Sequence, residues 1–221
     1  TGRTVSAIKD VSNAAERIAQ GDYSTFLPVK SQDEVGQLMQ NFNSMVSQLQ
    51  ERMKLKEALG LAMEVQQSLL PMNAPEIEGF DIAGQSIYCE ETGGDYYDFI
   101  SLPDENREQL NVVVGDVTGH GIEAALLMTT ARALLRSRAL MPGSIAQIIE
   151  DVNLHLTQDL YESGRFITLF FLAIDPLKCS LHWVRAGHDP AICYDPANDT
   201  FEELRGSGLA LGVDLAWSYE E

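Results

Sequence analysis

One segment, Val112–Gly121, constrains the fold of this chain more than any other. Its three consecutive valines predict a buried strand, and Asp116 stands at the end of that strand. A Gly-His-Gly turn follows at residues 119–121, where glycine allows a tight backbone path. The alanine- and leucine-rich residues 122–140 then predict a helix. The sequence therefore predicts a carboxylate at a strand end, beside a turn that leads into a helix.

A second acidic cluster, Gly93–Phe99, precedes this segment and contains Asp95 and Asp98. In an extended chain these two carboxylates point to opposite faces. We therefore expect Asp95 to be a metal ligand, and Asp98 to lie behind the ligands or at the surface. If Asp95 meets Asp116, a cation must neutralise their repulsion, and oxygen ligands suit Mg²⁺ or Mn²⁺. Acids beside glycines also occur in plain turns, which is the alternative interpretation.

Composition limits the classes of function. The formal charge of −18, from 33 acidic and 15 basic residues, argues against nucleic acid as a partner. It also disfavours a phosphorylated substrate unless bound cations reverse the local field. The three cysteines are widely spaced, which predicts buried thiols instead of a disulfide or zinc framework. No apolar run is long enough to cross a bilayer, and no signal segment opens the chain.

The first 50 residues predict two amphipathic helices. The first occupies residues 1–20 and ends at Gly21-Asp22, and the second begins near Asp33-Glu34. Apolar residues recur at intervals of three and four in both helices, as in a short coiled coil. The predicted inward-facing residues are Ile8, Val11, Ala15, Ile18, Val35, Leu38, Phe42, Met45 and Leu49.

Residues 5–52 resemble the HAMP domain, most specifically at Asp33–Gly36 and Asn41–Met45. The resemblance implies a HAMP signalling domain at residues 1–52 and a homodimer formed by a parallel four-helix bundle. It also implies the cytoplasmic portion of an inner-membrane receptor, attached to the membrane only through an upstream segment. A generic helical hairpin is the alternative.

The heptad phase changes after residue 49, and continuing it would place Arg52 and Lys56 in the seam. Such a change alters the winding of a coiled coil locally. Residues 53–70 are therefore predicted to be a coiled-coil linker helix, ended by Pro71. The linker is either a switch between two packings or a solvated spacer.

Residues 71–221 predict an α+β domain with a mainly antiparallel sheet, because helices and strands come in runs. Two helices are predicted at residues 122–140 and from Ser144 to about Leu160, with Ser144 as the cap. A polar turn is predicted at residues 103–108. The predicted strands are residues 80–89, 96–102, 110–115 (buried on both faces), 166–174, 180–186 and 191–194.

The paired acidic motifs resemble the SpoIIE/RsbU branch of the metal-dependent PPM (type 2C) protein phosphatases. Further matching segments lie across residues 58–221: Ala58–Pro71, Phe166–Phe170, Ala186–His188 and Gly208–Val213. The resemblance implies a β-sandwich flanked by helices and a SpoIIE-like phosphatase domain at residues 71–221. It implies two Mn²⁺ or Mg²⁺ ions held by catalytic Asp95 and Asp116, with Asp116 bridging both ions and Val117 offering a backbone carbonyl. The implied reaction removes phosphate from phosphoserine or phosphothreonine on a regulatory protein, such as an anti-anti-sigma factor of the STAS type.

The chain departs from the family after Asp214. The family's later Thr-Asp-Gly motif, which supplies another metal ligand, is not found in the seven residues that follow. We therefore expect a C-terminally truncated domain with an exposed sheet edge, weak binding of the second ion, and weak or no activity. His120 is either a general acid or a structural residue, and His188 is interpreted as structural.

Two other functions remain as alternatives. A non-catalytic dimeric signalling and partner-binding module would use the same helices and a phosphatase-like domain without catalysis. A diguanylate cyclase is suggested by Gly93-Gly94-Asp95 after a signalling helix, but Tyr96-Tyr97 depart from that family's motif. The cyclase hypothesis also leaves the Gly-Asp-x-x-Gly-His-Gly stretch unexplained, so the phosphatase is the preferred prediction.

Overall fold

A computed structural model describes residues 2–87, 93–101 and 109–221 of this chain. The chain forms two compact units, residues 1–62 and 63–221. The predicted linker, residues 53–70, has residues on both sides of that boundary. Among the described helices, none combines the length and apolar character that a bilayer crossing requires.

The first unit contains helix α1 (Gly2–Ala19) and the start of helix α2 (Glu34–Ser68). α1 ends where Gly21 adopts a φ of 92°, and the Gly21 N–H donates to the carbonyl of Ile18 at 2.9 Å. α2 begins after Asp33, whose carboxylate accepts from the backbone N–H of Val35. The predicted end of α1 and the predicted start of α2 are therefore confirmed.

The apolar core of the first unit differs from the predicted stripe. Ile8, Ala15, Leu38 and Met45 were expected to face inward, and all four are exposed. Each helix carries two neighbouring apolar stripes, and only one of them faces the other helix of the same chain. The buried residues are Ala7, Ala14, Leu27, Met39, Phe42 and Val46.

The second unit is α+β with antiparallel pairing throughout its named strands, as predicted. Its four-stranded sheet has the order β1-β2-β3-β4, and a separate two-stranded sheet pairs β5 with β6. Helices α3 and α4 pack on the four-stranded sheet. The elements are β1 (Tyr96–Ser101), β2 (Leu110–Val117), α3 (Ile122–Ala139), α4 (Ile145–Leu160), β3 (Ile167–Asp175), β4 (Ser180–Ala186), β5 (Ala191–Asp195) and β6 (Thr200–Leu204).

The main core lies between this sheet and α3 and α4. β2 contributes Val113, whereas the next residue, Val114, is 43% exposed on the opposite face. The prediction that this strand is buried on both faces is therefore wrong, because the helices cover one face only. Ser144 caps α4 as predicted, in a reciprocal arrangement with Gln147.

Other sequence predictions are corrected by the structure. Residues 81–87 form no strand, since they pair with no other part of the described chain. The predicted strand at residues 191–194 is β5, and it pairs with β6, which was not predicted, instead of continuing the sheet from β4. Cys179 and Cys193 are exposed where buried thiols were expected. The predicted turn at residues 103–108 and Cys89 lie outside the described residues.

Candidate metal centre

Asp116 lies one residue before the end of β2, on the sheet face that the helices leave uncovered. Its neighbours Gly115 and Val117 are buried, whereas Asp116 itself is exposed. The alternation follows from the pleat of the strand, which points successive side chains to opposite faces. In the neighbouring strand β3, Thr168 is the residue paired with Asp116. The carboxylate therefore has a rigid backbone and an accessible side chain.

Asp95 lies immediately before β1, and the chain reaches it through a close contact at Gly94. The Val117 N–H donates to the carbonyl of Gly94 at 3.3 Å. A Cβ at position 94 would lie 2.6 Å from the carbonyl oxygen of Val117, so a side chain here would force the segments apart. The two acidic motifs therefore meet through their backbones, as the sequence predicts.

The carboxylates of Asp95 and Asp116 interact unfavourably. Partial desolvation by the surrounding residues raises the pKa of Asp116 above its usual range, and the nearby negative charge of Asp95 raises it further. His188 acts in the opposite direction and lowers the pKa of Asp116. A divalent cation between the two carboxylates would remove their mutual repulsion.

The donor set at this position fits a hard divalent cation. Asp95 and Asp116 offer carboxylate oxygens, and Val117 offers a backbone carbonyl on the side that faces Gly94. The Val117 side chain is buried in the core, which fixes its backbone. Among residues 2–87, 93–101 and 109–221, no third acidic, histidine or cysteine side chain completes a metal-binding group here. The described residues therefore provide two carboxylates and one backbone carbonyl that could hold a divalent cation.

The turn after Asp116 is braced by the segment that leads into β3. The Thr118 N–H donates to the carbonyl of Phe166 at 3.0 Å, and the Phe166 N–H donates to the Thr118 hydroxyl at 3.0 Å. Arg165 donates to the carbonyl of Thr118 at 3.1 Å and forms an ion pair with Glu123 of α3. These contacts fix the backbone that leaves Asp116. His120 lies exposed in this turn.

Thr168 and His188 also line this face of the sheet, although sequence reasoning gave neither a part in the site. The Thr168 hydroxyl lies 2.8 Å from Nδ1 of His188, and it also donates to the Asp116 carbonyl at 3.4 Å. Both residues belong to segments that matched the phosphatase family in the sequence, which was the signal available. His188 is thus held close to the carboxylate pair by a threonine of the neighbouring strand.

Asp98 does not lie where the sequence predicted. It is fully buried on the helix-covered face, neither beside the ligands nor at the surface. Arg136 of α3 donates to both of its oxygens, at 2.7 and 2.6 Å, and the Tyr96 hydroxyl donates at 2.9 Å. Arg132 lies 3.6 Å away. The burial of Tyr96 and the nearby Asp98 charge raise the pKa of the phenol. Asp98 is therefore a structural ion-pair partner that joins β1 to α3.

Comparison with known families matches two separate parts of the chain. The model of the SpoIIE family (Stage II sporulation protein E) matches residues 106–221, which is more than half of the chain. The HAMP domain model matches residues 1–51. These two matches correspond to the two resemblances found in the sequence.

Individual relatives support the same assignment. Phosphoserine phosphatase RsbU of Bacillus subtilis is 30% identical over 168 residues, covering 76% of this chain and 49% of RsbU. Phosphoserine phosphatase RsbP of the same organism is 28% identical and covers 65% of this chain and 36% of RsbP. The chain therefore spans half or less of the length of these relatives.

A solved structure of the same fold is the SiaA-PP2C domain of Pseudomonas aeruginosa. Its TM-score is 0.57 at 19% identity, and the match covers 77% of this chain and 66% of that chain. At this identity the likeness is one of fold. The helical first unit is thus followed by an α+β domain of the PP2C type.

Proposed function

This chain belongs to the SpoIIE family, and we propose that it is a metal-dependent protein serine/threonine phosphatase. Its substrate is a phosphorylated regulatory protein, such as an anti-anti-sigma factor of the STAS type. The proposal is supported by the meeting of two acidic motifs at Gly94 and Val117. It is supported also by two phosphoserine phosphatases among the relatives.

In this proposal, Asp95 and Asp116 bind Mn²⁺ or Mg²⁺ through their carboxylates, and Val117 does so through its carbonyl. Two such ions supply Lewis-acid activation of the phosphoryl group and of the attacking water. By the family resemblance, Asp116 would be the ligand shared by both ions, and its side chain is exposed near the end of β2. The Thr168 hydroxyl and the Arg165–Glu123 pair keep the backbone around Asp116 in place.

The N-terminal helices control the enzyme in this proposal. Ile8, Leu38 and Met45 form an exposed apolar stripe that one copy of the chain leaves uncovered. A second copy would bury them in a four-helix HAMP bundle, so we propose a homodimer. The proposed domain bounds are residues 1–52 for HAMP, 53–70 for the linker and 71–221 for the phosphatase. The proposed location is the cytoplasmic side of an inner membrane, reached through an upstream segment.

A non-catalytic partner-binding module is the second candidate. The observation that favours it is the pair of carboxylates without a third acidic partner among the described residues. A domain that binds a phosphoprotein without hydrolysing it would need no complete two-ion site.

Calorimetric titration with Mn²⁺ and phosphate release from a phosphoserine STAS protein test the two candidates together. The phosphatase proposal predicts Mn²⁺-dependent heat and phosphate release at a weak level, as expected above for this chain, and both are lost in Asp95→Asn and in Asp116→Asn. Asp159→Asn, an exposed aspartate of α4, is the matched control and should behave as the unaltered chain. Binding of the phosphoprotein without Mn²⁺-dependent heat or phosphate release would favour the binding module.

A further inference from the structure

The last turns of α2 carry one glutamine in an environment unlike that of its neighbours. Gln66 is 6% exposed, whereas Val65 and Gln67 on either side of it are exposed. Burying an amide without hydrogen bonds costs free energy, so such a residue needs a partner. Its Nε2 donates to the carbonyl of Gly93 at 3.3 Å. The buried side-chain amide of Gln66 therefore binds the backbone two residues before Asp95.

A second hydrogen bond ties the same region to the other side of Asp95. The Tyr97 hydroxyl donates to the carbonyl of Pro71 at 2.9 Å, three residues beyond the end of α2. Leu70, between these two attachment points, is buried in the main core. Residues 66–71 are therefore fixed to the rest of the second unit by packing as well as by hydrogen bonds.

The two hydrogen bonds bracket Asp95 symmetrically. Gly93 lies two residues before it and Tyr97 lies two residues after it. Residues 93–95 have no regular secondary structure, so the strand ladder does not fix them. Gly94 contributes one further backbone contact, to the Val117 N–H. Of the hydrogen bonds to Gly93 and Gly94 in the described chain, one therefore comes from β2 and the other from α2.

We propose that Gln66 is a positioning residue for Asp95. By holding the Gly93 carbonyl, it fixes the backbone that presents the Asp95 carboxylate to Asp116. This inference rests on the proposed metal site, because the position of Asp95 matters chemically only if both carboxylates bind the same ions. Groups that orient metal ligands typically change metal affinity by about 10–100-fold when they are removed.

The Tyr97–Pro71 hydrogen bond serves the same purpose from the other side. Tyr97 also packs edge-on against Phe99, with ring centroids 5.9 Å apart, so the ring stays in place without its hydroxyl. Removing the hydroxyl alone should therefore loosen the Asp95 segment while leaving the packing of β1 unchanged.

The test compares Gln66→Met with Gln67→Met in the full chain. Methionine keeps the length of the side chain and its helix preference but removes the donor to Gly93. The first readout is hydrogen exchange of the Val117 amide without metal, because that N–H bonds to Gly94. We expect exchange about tenfold faster in Gln66→Met, relative to amides in the middle of β2, and no change in Gln67→Met. A merely structural role would speed all β2 amides alike.

The second readout is the dissociation constant for Mn²⁺, measured by calorimetry. We expect it to rise about tenfold in Gln66→Met and to stay unchanged in Gln67→Met. Tyr97→Phe should change both readouts in the same direction, with the exposed Tyr161→Phe as its control. This second pair decides the question if Gln66→Met does not fold.

The outcomes separate the inference from the function on which it rests. Normal Mn²⁺ affinity and normal Val117 exchange in both Gln66→Met and Tyr97→Phe would overturn the positioning role. An unaltered chain that binds no Mn²⁺ would instead overturn the proposed metal site. In that event the Val117 exchange rate would still decide whether Gln66 fixes the Asp95 segment.

Discussion

The carboxylates on the two faces of the four-stranded sheet differ in burial and in the charge of their neighbours. On the helix-covered face, Asp98 is fully buried, and Arg136 and the Tyr96 hydroxyl donate to it. On the uncovered face, Asp116 is exposed, and the nearby Asp95 repels it. The buried acid is neutralised by the protein itself, whereas the exposed pair remains able to attract a cation. Burial with a partner marks the structural acid, and proximity to a like charge marks the candidate ligand.

The largest effect expected from this comparison is on Asp98. Replacing it with asparagine leaves Arg136 without its counter-charge, which should lower the free energy of unfolding by about 3 kcal/mol. Urea unfolding measures this change directly. Asp151→Asn is the matched control. Asp151 of α4 forms an ion pair at 2.6 Å with Arg138, which lies in α3 like Arg136, but the Asp151 side chain is half exposed. This control substitution should lower the free energy of unfolding by less than about 1 kcal/mol. Equal losses in the two variants would contradict the contrast between the faces.

Substitutions at Val113 and Val114, two adjacent residues of β2, compare how deeply the two faces are buried without changing any charge. Val113→Ala removes two methyl groups from a fully buried site, so we expect a loss of about 2 kcal/mol in the free energy of unfolding. Val114→Ala, at a site 43% exposed, should cost less than half as much. Both values come from denaturant titrations under the same conditions. A larger loss at Val114 would mean that the uncovered face is buried in solution.

The smallest effect is expected at Asp116. In metal-free protein, Asp116→Asn removes the repulsion from Asp95 and should leave the stability unchanged or raise it by less than about 1 kcal/mol. Thermal unfolding with a chelator present measures this difference. Asp95→Asn should give the same sign, because either substitution removes one member of the repelling pair. A loss of more than 1 kcal/mol in either variant would assign that residue a structural role like that of Asp98.

Much of the second unit could be predicted from the sequence because local signals there agree with tertiary packing. The Ser144 cap predicted the start of α4, and the helix ends at Leu160, close to the predicted position. The two acidic motifs were expected to meet, and Gly94 and Val117 are in contact. These signals are local in sequence or carried by a specific motif.

The errors have a common physical cause, which is that a neighbour distant in sequence decides the outcome. Asp98 was not placed correctly because its partner Arg136 is 38 residues away, and the strand pattern does not reveal which face the helices cover. Residues 81–87 have strand-like composition, but they lack a pairing partner in the described chain. Ile8 and Leu38 belong to one of two apolar stripes, and the sequence does not say which stripe is covered within one chain.

The close approach of Gly94 to Val117 has a consequence for how this protein tolerates change. The distance between the two acidic motifs is set by main chain against main chain, with no side chain interposed. Substitutions that repack the hydrophobic core can therefore accumulate without altering the spacing of the carboxylates. A single methyl group at position 94 would instead push the two segments apart and change the spacing of the carboxylates. The spacing of the two carboxylates therefore depends on the absence of a Cβ atom at position 94.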